Sequence, residues 1–362
     1  MKKISSQIII IIALPIVFGF LSGILAFSLF GNSGLNLPFL GRVNILGVDI
    51  DRQIVIDQPR SVIIEQDLQI RQMEDNILPA LVSLYPVRNV NNPLNQAYLP
   101  SEIMGQGFIL TADGWLITTK SAIPSLTAEY SAVGYQNKEY QAGGFIEDKT
   151  TGIVFGKMAG ASGLTVAKIG ASKNLSVGQT VLVASKRDEL SLAHIKRIGY
   201  EVKVRQDLIQ SSDKLNKEFF LDIDLGGLEN GAVVANLKGE IVGIVDGGRV
   251  VMADYFSGLI NQVLSNQKIS RPVLGINYID LAHTDGLFGR GEKGALVLGA
   301  PPKGAPAFGL IKDGEVIKKV NDVELSYFTS LSEATSGFKP GDKVDLLIFR
   351  AGKDEEVQVT LK

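Results

Sequence analysis

The chain has 362 residues, enough for two ordinary domains, and its 45% hydrophobic and 20% charged residues exclude a disordered polyelectrolyte. With 36 Lys and Arg against 38 Asp and Glu the formal charge is −2, so there is no basic excess to neutralise a phosphate backbone, and nucleic acid is not an expected partner. No cysteine occurs, which removes thiol catalysis, disulfides and thiolate metal sites, and His194 and His283 are too few for a multi-histidine centre, so neither a metal nor a cofactor is expected.

Residues 8–30 carry no charge and follow Lys2 and Lys3. The run meets the roughly 20 residues a helix needs to cross a bilayer and outlasts the roughly 7–15-residue apolar core of a cleaved signal peptide. The next basic residue is Arg42, so the positive-inside rule keeps the N-terminus cytoplasmic. Residues 1–31 are therefore expected to be a cytoplasmic tip and a single-pass membrane anchor, with everything after them outside the cytoplasm. Residues 32–78 read as a stalk rich in Gly, Asn and Pro, followed by a surface helix over 61–77 with Ile64, Leu68 and Ile77 at near-helical spacing, ended by Pro79.

From residue 80 short β-type runs alternate with turn signals, at 80–85, 107–110, 115–119, 131–135, 145–147, 153–155 and 165–169. A second series follows at 180–184, 192–198, 219–223, 232–236, 240–245 and 250–253, closed by a helical stretch over 256–264. Two such sets predict two antiparallel barrels. The polar run 265–268, then Arg271 and Pro272, marks a linker, and 273–362 has the grain of a separate small domain.

Four segments in register resemble the HtrA/Deg family of exported or membrane-anchored serine proteases. PALVSLY (79–85) resembles its opening strand and GQGFILTADGWLITT (105–119) its glycine-rich hairpin before the catalytic histidine. KIGASKNLSVGQTVLVAS (168–185) resembles the entry to the second barrel, and LDIDLGGLENGAVVANLKGEIVGI (221–244) the segment that carries the nucleophile loop. The resemblance implies a mainly β fold: the transmembrane helix, a trypsin-like double antiparallel β-barrel over 79–266, and a C-terminal PDZ domain over 271–362.

Such a barrel needs a serine, a histidine to take its proton and a carboxylate to hold that histidine's tautomer. By the resemblance the histidine position is filled by Ser121, the aspartate position by Gly152 and the nucleophile position by Asn230, so the triad is expected to be degenerate and no residue is assigned a catalytic role. Asp148 lies four positions before Gly152. Leu228 and Ala232 stand where the family loop has glycines, which puts its oxyanion hole in doubt. His194 falls within a strand of the second barrel and His283 in the C-terminal domain. The neighbours Lys120 and Ser121, or Ser185 and Lys186, point to opposite faces of a strand and do not make a dyad.

RPVLGINY (271–278) resembles the start of the family's PDZ domain, whose loop of backbone amides receives a peptide's terminal carboxylate. The resemblance implies β-augmentation, with Leu274, Gly275, Ile276, Asn277 and Tyr278 along the peptide and Leu331, Ala334 and Thr335 beside it. The glycine-rich loop over 285–294 reads as a connection, since its glycines are not set between a strand and a helix. The function implied is a membrane-anchored pseudoprotease that binds unfolded envelope proteins or peptide C-termini, as a homo-oligomer, trimeric by the resemblance, or together with related proteases. An active serine endopeptidase in envelope quality control and a scaffold without peptide affinity are the alternatives.

Overall fold

The computed structural model describes residues 14–23, 25, 35–37, 41–43, 68, 70–71, 73–88, 92–186, 189–226, 228, 230–287 and 293–362. Residues 1–64 and 65–362 form two separate compact units. In the first, residues 14–23 and 25 are helical and β1 (Leu35–Leu37) pairs antiparallel with β2 (Gly41–Val43). Among the described residues no helix is long and apolar enough to cross a membrane. The remainder of the 8–30 run lies outside the described residues, as does most of the 32–78 stalk. Of the expected surface helix, residues 68, 70–71 and 73–77 are described and helical.

The second unit opens with a closed antiparallel barrel. Its strands are β3 (Leu81–Pro86), β4 (Gly105–Ile109), β5 (Trp115–Thr119), β6 (Tyr130–Gly134), β7 (Glu139–Asp148) and β8 (Ile153–Met158), joined in the order β3-β4-β5-β8-β7-β6. Strand alternation explains why β3, β5 and β8 carry apolar residues at consecutive positions, because side chains on opposite faces enter two different cores. Val82, Ile109, Leu116 and Val154 fill the barrel interior. Their neighbours Leu81, Phe108, Ile117, Ile153 and Phe155 point outward into a second core shared with the sheet that follows.

That sheet comprises β9 (Lys168–Ile169), β10 (Thr180–Lys186), β11 (Glu189–Gly199), β13 (Glu218–Leu221), β14 (Val233–Asn236), β15 (Glu240–Asp246) and β16 (Arg249–Met252), while β12 (Ile209–Ser211) leaves it for the C-terminal region. Its order is β13-β11-β10-β14-β15-β16, with β9 parallel to β15. Where the sequence predicts a second closed barrel, the ladders among the described residues stop one pair short. The end strands β13 and β16 lie against each other without a ladder between them, and the buried Glu218 sits in β13 at this junction. Short helices at Asp254–Ser257 and Ile260–Asn266 close this core with Phe256 and Val263.

The C-terminal region is one sheet in the order β12-β17-β18-β19-β21-β22, with β20 (Val323–Glu324) on β19. Its own strands are β17 (Asn277–Asp280), β18 (Ala295–Val297), β19 (Val316–Val320), β21 (Lys343–Arg350) and β22 (Lys353–Thr360). A separate core of Leu274, Tyr278, Ile317, Leu331, Leu346 and Ile348 holds it. The helix Leu331–Thr335 starts at a capping box in which Ser330 and Glu333 satisfy each other's backbone amides. Polar bridges tie this sheet to the preceding one. Tyr200 donates to Asp280 at 2.9 Å, Tyr327 donates to the Ile198 carbonyl at 2.9 Å, and the buried Lys217 ammonium meets Glu333 at 2.5 Å and the Phe328 carbonyl at 2.8 Å.

Candidate functional site

Three loops carry the positions singled out for catalysis to one place. Ser121 lies in the single 3-10 turn Lys120–Ala122 that ends β5, and the Lys120 amide donates to the Gly152 carbonyl at 2.7 Å, so Gly152 lies beside it. Asn230 arrives from the loop before β14. Its carbonyl accepts the Gln106 amide at 2.8 Å, its Oδ1 accepts the Gly247 amide at 2.8 Å, and its Nδ2 makes a long 3.4 Å contact to the Ser121 carbonyl. The Asn230 amide side chain thus bridges two loops. Neither Ser121 nor Asn230 supplies a base, and an amide is not a nucleophile. In the same loop the Leu228 amide donates to the Leu225 carbonyl at 3.1 Å, so it is committed inside the turn.

The two carboxylates near this place have other work. Asp148 is buried and accepts from Thr151 Oγ1 at 2.6 Å, while Arg271 reaches it through Nε at 3.1 Å and Nη2 at 2.6 Å. It fixes its own turn and the linker. Asp246, at the end of β15, stands closer to the expected aspartate position: a Cβ added at Gly152 would lie 3.1 Å from Asp246 Oδ2. Its buried Oδ1 has no hydrogen-bond partner, and the Arg249 guanidinium is 3.9 Å from Oδ2.

The two histidines are elsewhere. His194 sits exposed on β11, with Nδ1 2.9 Å from an Asp222 oxygen, and donates its backbone amide to the same carboxylate. His283 follows β17, with Nδ1 3.1 Å from Asp280 and its ring stacked on Tyr327 at 4.4 Å. Burial first, then the neighbouring Tyr278 and Asp280, pushes the Tyr200 phenol well above its ordinary range, so it stays a donor to Asp280. Among the described residues no group of three or more His, Asp or Glu side chains is placed to hold a metal ion.

The amides of the loop Leu274–Ile276, where the sequence places peptide binding, are engaged within the chain. Leu274 donates to Asp213 Oδ1 at 2.8 Å, Gly275 donates to both Asp213 oxygens at 3.1 Å, and Ile276 donates to Ser212 Oγ at 2.9 Å. Gly275 has φ +79°, and a Cβ there would meet Ala305 Cβ at 2.4 Å, so only glycine lets the chain turn its amide inward beside that neighbour. Beyond the loop, β12 lies antiparallel along β17, with Ser211 opposite Asn277, Gln210 opposite Tyr278 and Ile209 opposite Ile279. Asn277 is exposed and Tyr278 is buried, its hydroxyl 3.4 Å from Ser332 Oγ. On the adjoining helix Leu331 is fully buried in the C-terminal core, Ala334 packs against that core, and Thr335 Oγ1 donates back to the Leu331 and Ser332 carbonyls.

No family model matches the chain. It is 25% identical over 329 residues to a DegP-like periplasmic serine endoprotease of Pseudomonas putida (strain GB-1), a match covering 82% of this chain and 66% of that protein. It is also 25% identical over 289 residues to the periplasmic pH-dependent serine endoprotease DegQ of Escherichia coli (strain K12), covering 74% of this chain and 61% of DegQ. The chain is similar over most of its length to HtrA/Deg serine endoproteases. It spans under two thirds of the length of these relatives. Among solved structures, the HtrA-type protease AlgW with tripeptide superposes with a TM-score of 0.57 at 16% identity, over 80% of this chain and 96% of AlgW. AlgW with decapeptide gives 0.54 at 17%, over 80% and 97%, so the mainly β protease fold with its barrel and sheets is shared.

Two acidic residues escape a reading of the sequence. Asp246 ends a strand as an ordinary turn residue would, and nothing in its neighbours reports that Gly152 lies across from it. Asp213 follows the short run Leu208-Ile209, whose two apolar residues fall below the length that signals a strand.

Proposed function

We propose that the chain is a pseudoprotease of the HtrA/Deg family that works by binding. The observation that carries this reading is the state of Asn230. Its side chain is spent on the Gly247 amide and the Ser121 carbonyl, in a cluster that has no imidazole to activate the Ser121 hydroxyl and no free Leu228 amide. Losing one member of a triad already costs several orders of magnitude in rate, and here all three roles are gone. The scaffold does not depend on them, since its stability resides in the two cores that β4, β5 and β8 share.

In this reading residues 271–362 are a PDZ domain whose ligands are C-termini or extended segments of unfolded envelope proteins, received by the Leu274–Ile276 amides and β17. Residues 8–30 anchor the chain with its N-terminus in the cytoplasm and its folded part outside, a placement in keeping with relatives named periplasmic. Oligomerisation with active relatives would give the bound protein access to a working protease, and oligomerisation with itself would gather several binding sites.

The test is degradation of unfolded casein by the full-length chain in detergent, beside Asn230→Ala. We expect no turnover from either, and no labelling by a fluorophosphonate. Turnover by both that survives repurification sinks the pseudoprotease reading and restores the endopeptidase.

A further inference from the structure

The Leu274–Ile276 loop is an oxyanion receptor by construction, because the Leu274 and Gly275 amides converge on one carboxylate where Gly275 turns the backbone, while the Ile276 amide donates to the adjoining Ser212 hydroxyl. Such a loop draws a carboxylate, and it holds one. The carboxylate belongs to Asp213, and the segment that delivers it runs as a peptide ligand would. β12 is antiparallel to β17 and advances toward the loop, from Ile209 opposite Ile279 to Ser211 opposite Asn277. Ser212 then donates its amide to the Ile276 carbonyl at 2.8 Å and its hydroxyl to Asp213 Oδ1 at 2.9 Å. A turn in which the Lys214 amide donates to the Ser211 carbonyl at 3.2 Å carries the chain away, leaving the Asp213 side chain where a chain terminus would end.

We infer that residues 209–213 are an exchangeable ligand carried by the chain itself, with the Asp213 side-chain carboxylate standing in for the C-terminal carboxylate of an incoming peptide. This rests on the peptide-binding reading above and adds its regulation: a free peptide must displace β12. The segment lies within the long connection from β11 to β13, whose residues 201–207 are exposed or half-exposed, so it has slack to leave. It is also tethered at both ends, by Tyr200 to Asp280 and by Lys217 to Glu333, which keeps it at high effective concentration. An intramolecular competitor lowers apparent affinity by the fraction of time the groove is open. The preferred outside ligand has an extended backbone and a free carboxylate, presented by a protein at high local concentration.

The experiment is fluorescence polarisation with the full-length chain in detergent micelles. The probe is a labelled peptide of the sequence 205–212 ending in a free carboxylate, beside its C-terminally amidated twin. Asp213→Ala is expected to bind the free-carboxylate peptide about tenfold more tightly than the unaltered chain or better, and to ignore the amidated one. Hydrogen exchange at the Leu274–Ile276 amides is expected to quicken in the variant while that of β10 and β14 does not change. Asp213→Asn, which keeps the side-chain volume, gives the same comparison should Asp213→Ala not fold. Equal affinity of variant and unaltered chain would overturn the exchange while leaving peptide binding intact. Binding by neither would overturn both, and equal binding of the amidated peptide would overturn the carboxylate mimicry.

Discussion

Arg271 grips Asp148 through two guanidinium nitrogens, and its Nη2 also donates to the Tyr255 carbonyl at 2.5 Å, so a linker residue is locked into the first barrel. Asp148 is 1% exposed and its carboxylate also accepts from the Thr151 hydroxyl and the Thr150 amide. Removing Arg271 would leave that charge buried and uncompensated, which costs about 3–5 kcal/mol. Arg271→Ala should show this loss in urea denaturation. Arg271→Ala with Asp148→Asn should lose less than the sum of the two single changes, since the residues are in contact.

Glu218 gives the fold a pH dependence. Burial raises its carboxyl from 4.5 to about 7, with the nearby Arg249 and Arg197 pulling it down and Glu201 pushing it up. A raised acid pKa means that the folded state keeps its proton while the unfolded state releases it. Stability therefore falls as pH rises from 4.5 to about 7 and is flat above, by about 3 kcal/mol in all. Glu218→Gln should flatten the curve of unfolding free energy against pH and raise stability at about pH 8. An unchanged slope would mean that the Val250 amide and Arg249 already hold the group ionised.

Restoring an aspartate at position 152 should harm the fold. Gly152 has φ +78°, a conformation costing a side-chain-bearing residue about 1–2 kcal/mol, and the new group would approach the Asp246 carboxylate. Gly152→Asp should lower the melting temperature by roughly 2–3 °C for a destabilisation of this size. Adding Asp246→Asn should recover part of that loss.

Rebuilding the other two positions should not rebuild a protease. In Ser121→His with Asn230→Ser the hydroxyl and imidazole return, but the Leu228 amide still donates to the Leu225 carbonyl. Loss of one oxyanion donor is worth about 10²–10³ in rate. Casein should remain intact in an overnight digest, and its cleavage would show that the Leu228 amide can swing outward.

Much of this architecture is legible from strand alternation. β5 is read at its observed bounds, and β10, β14 and β15 within a residue or two. Segments buried on both faces announce themselves as apolar runs between turns. What the sequence hides is long-range and polar. The second sheet stops short of closing where β13 meets β16, at the buried Glu218, which no periodicity encodes. Ser121, Gly152 and Asn230 could be placed together by resemblance, but Asp246 enters from a strand that reads as plain core. The Ile209–Ser211 strand is too short and too polar to be called β without its partner.

The alternation in β5 makes two neighbours answer to different masters. Leu116 belongs to the barrel interior, and Ile117 to the core beyond it. A cavity cut at 117 is therefore felt by Phe219 and Val245 on the far sheet, while one cut at 116 stays within the barrel. The barrel wall is a party wall, and the two halves it joins are expected to melt together rather than one after the other.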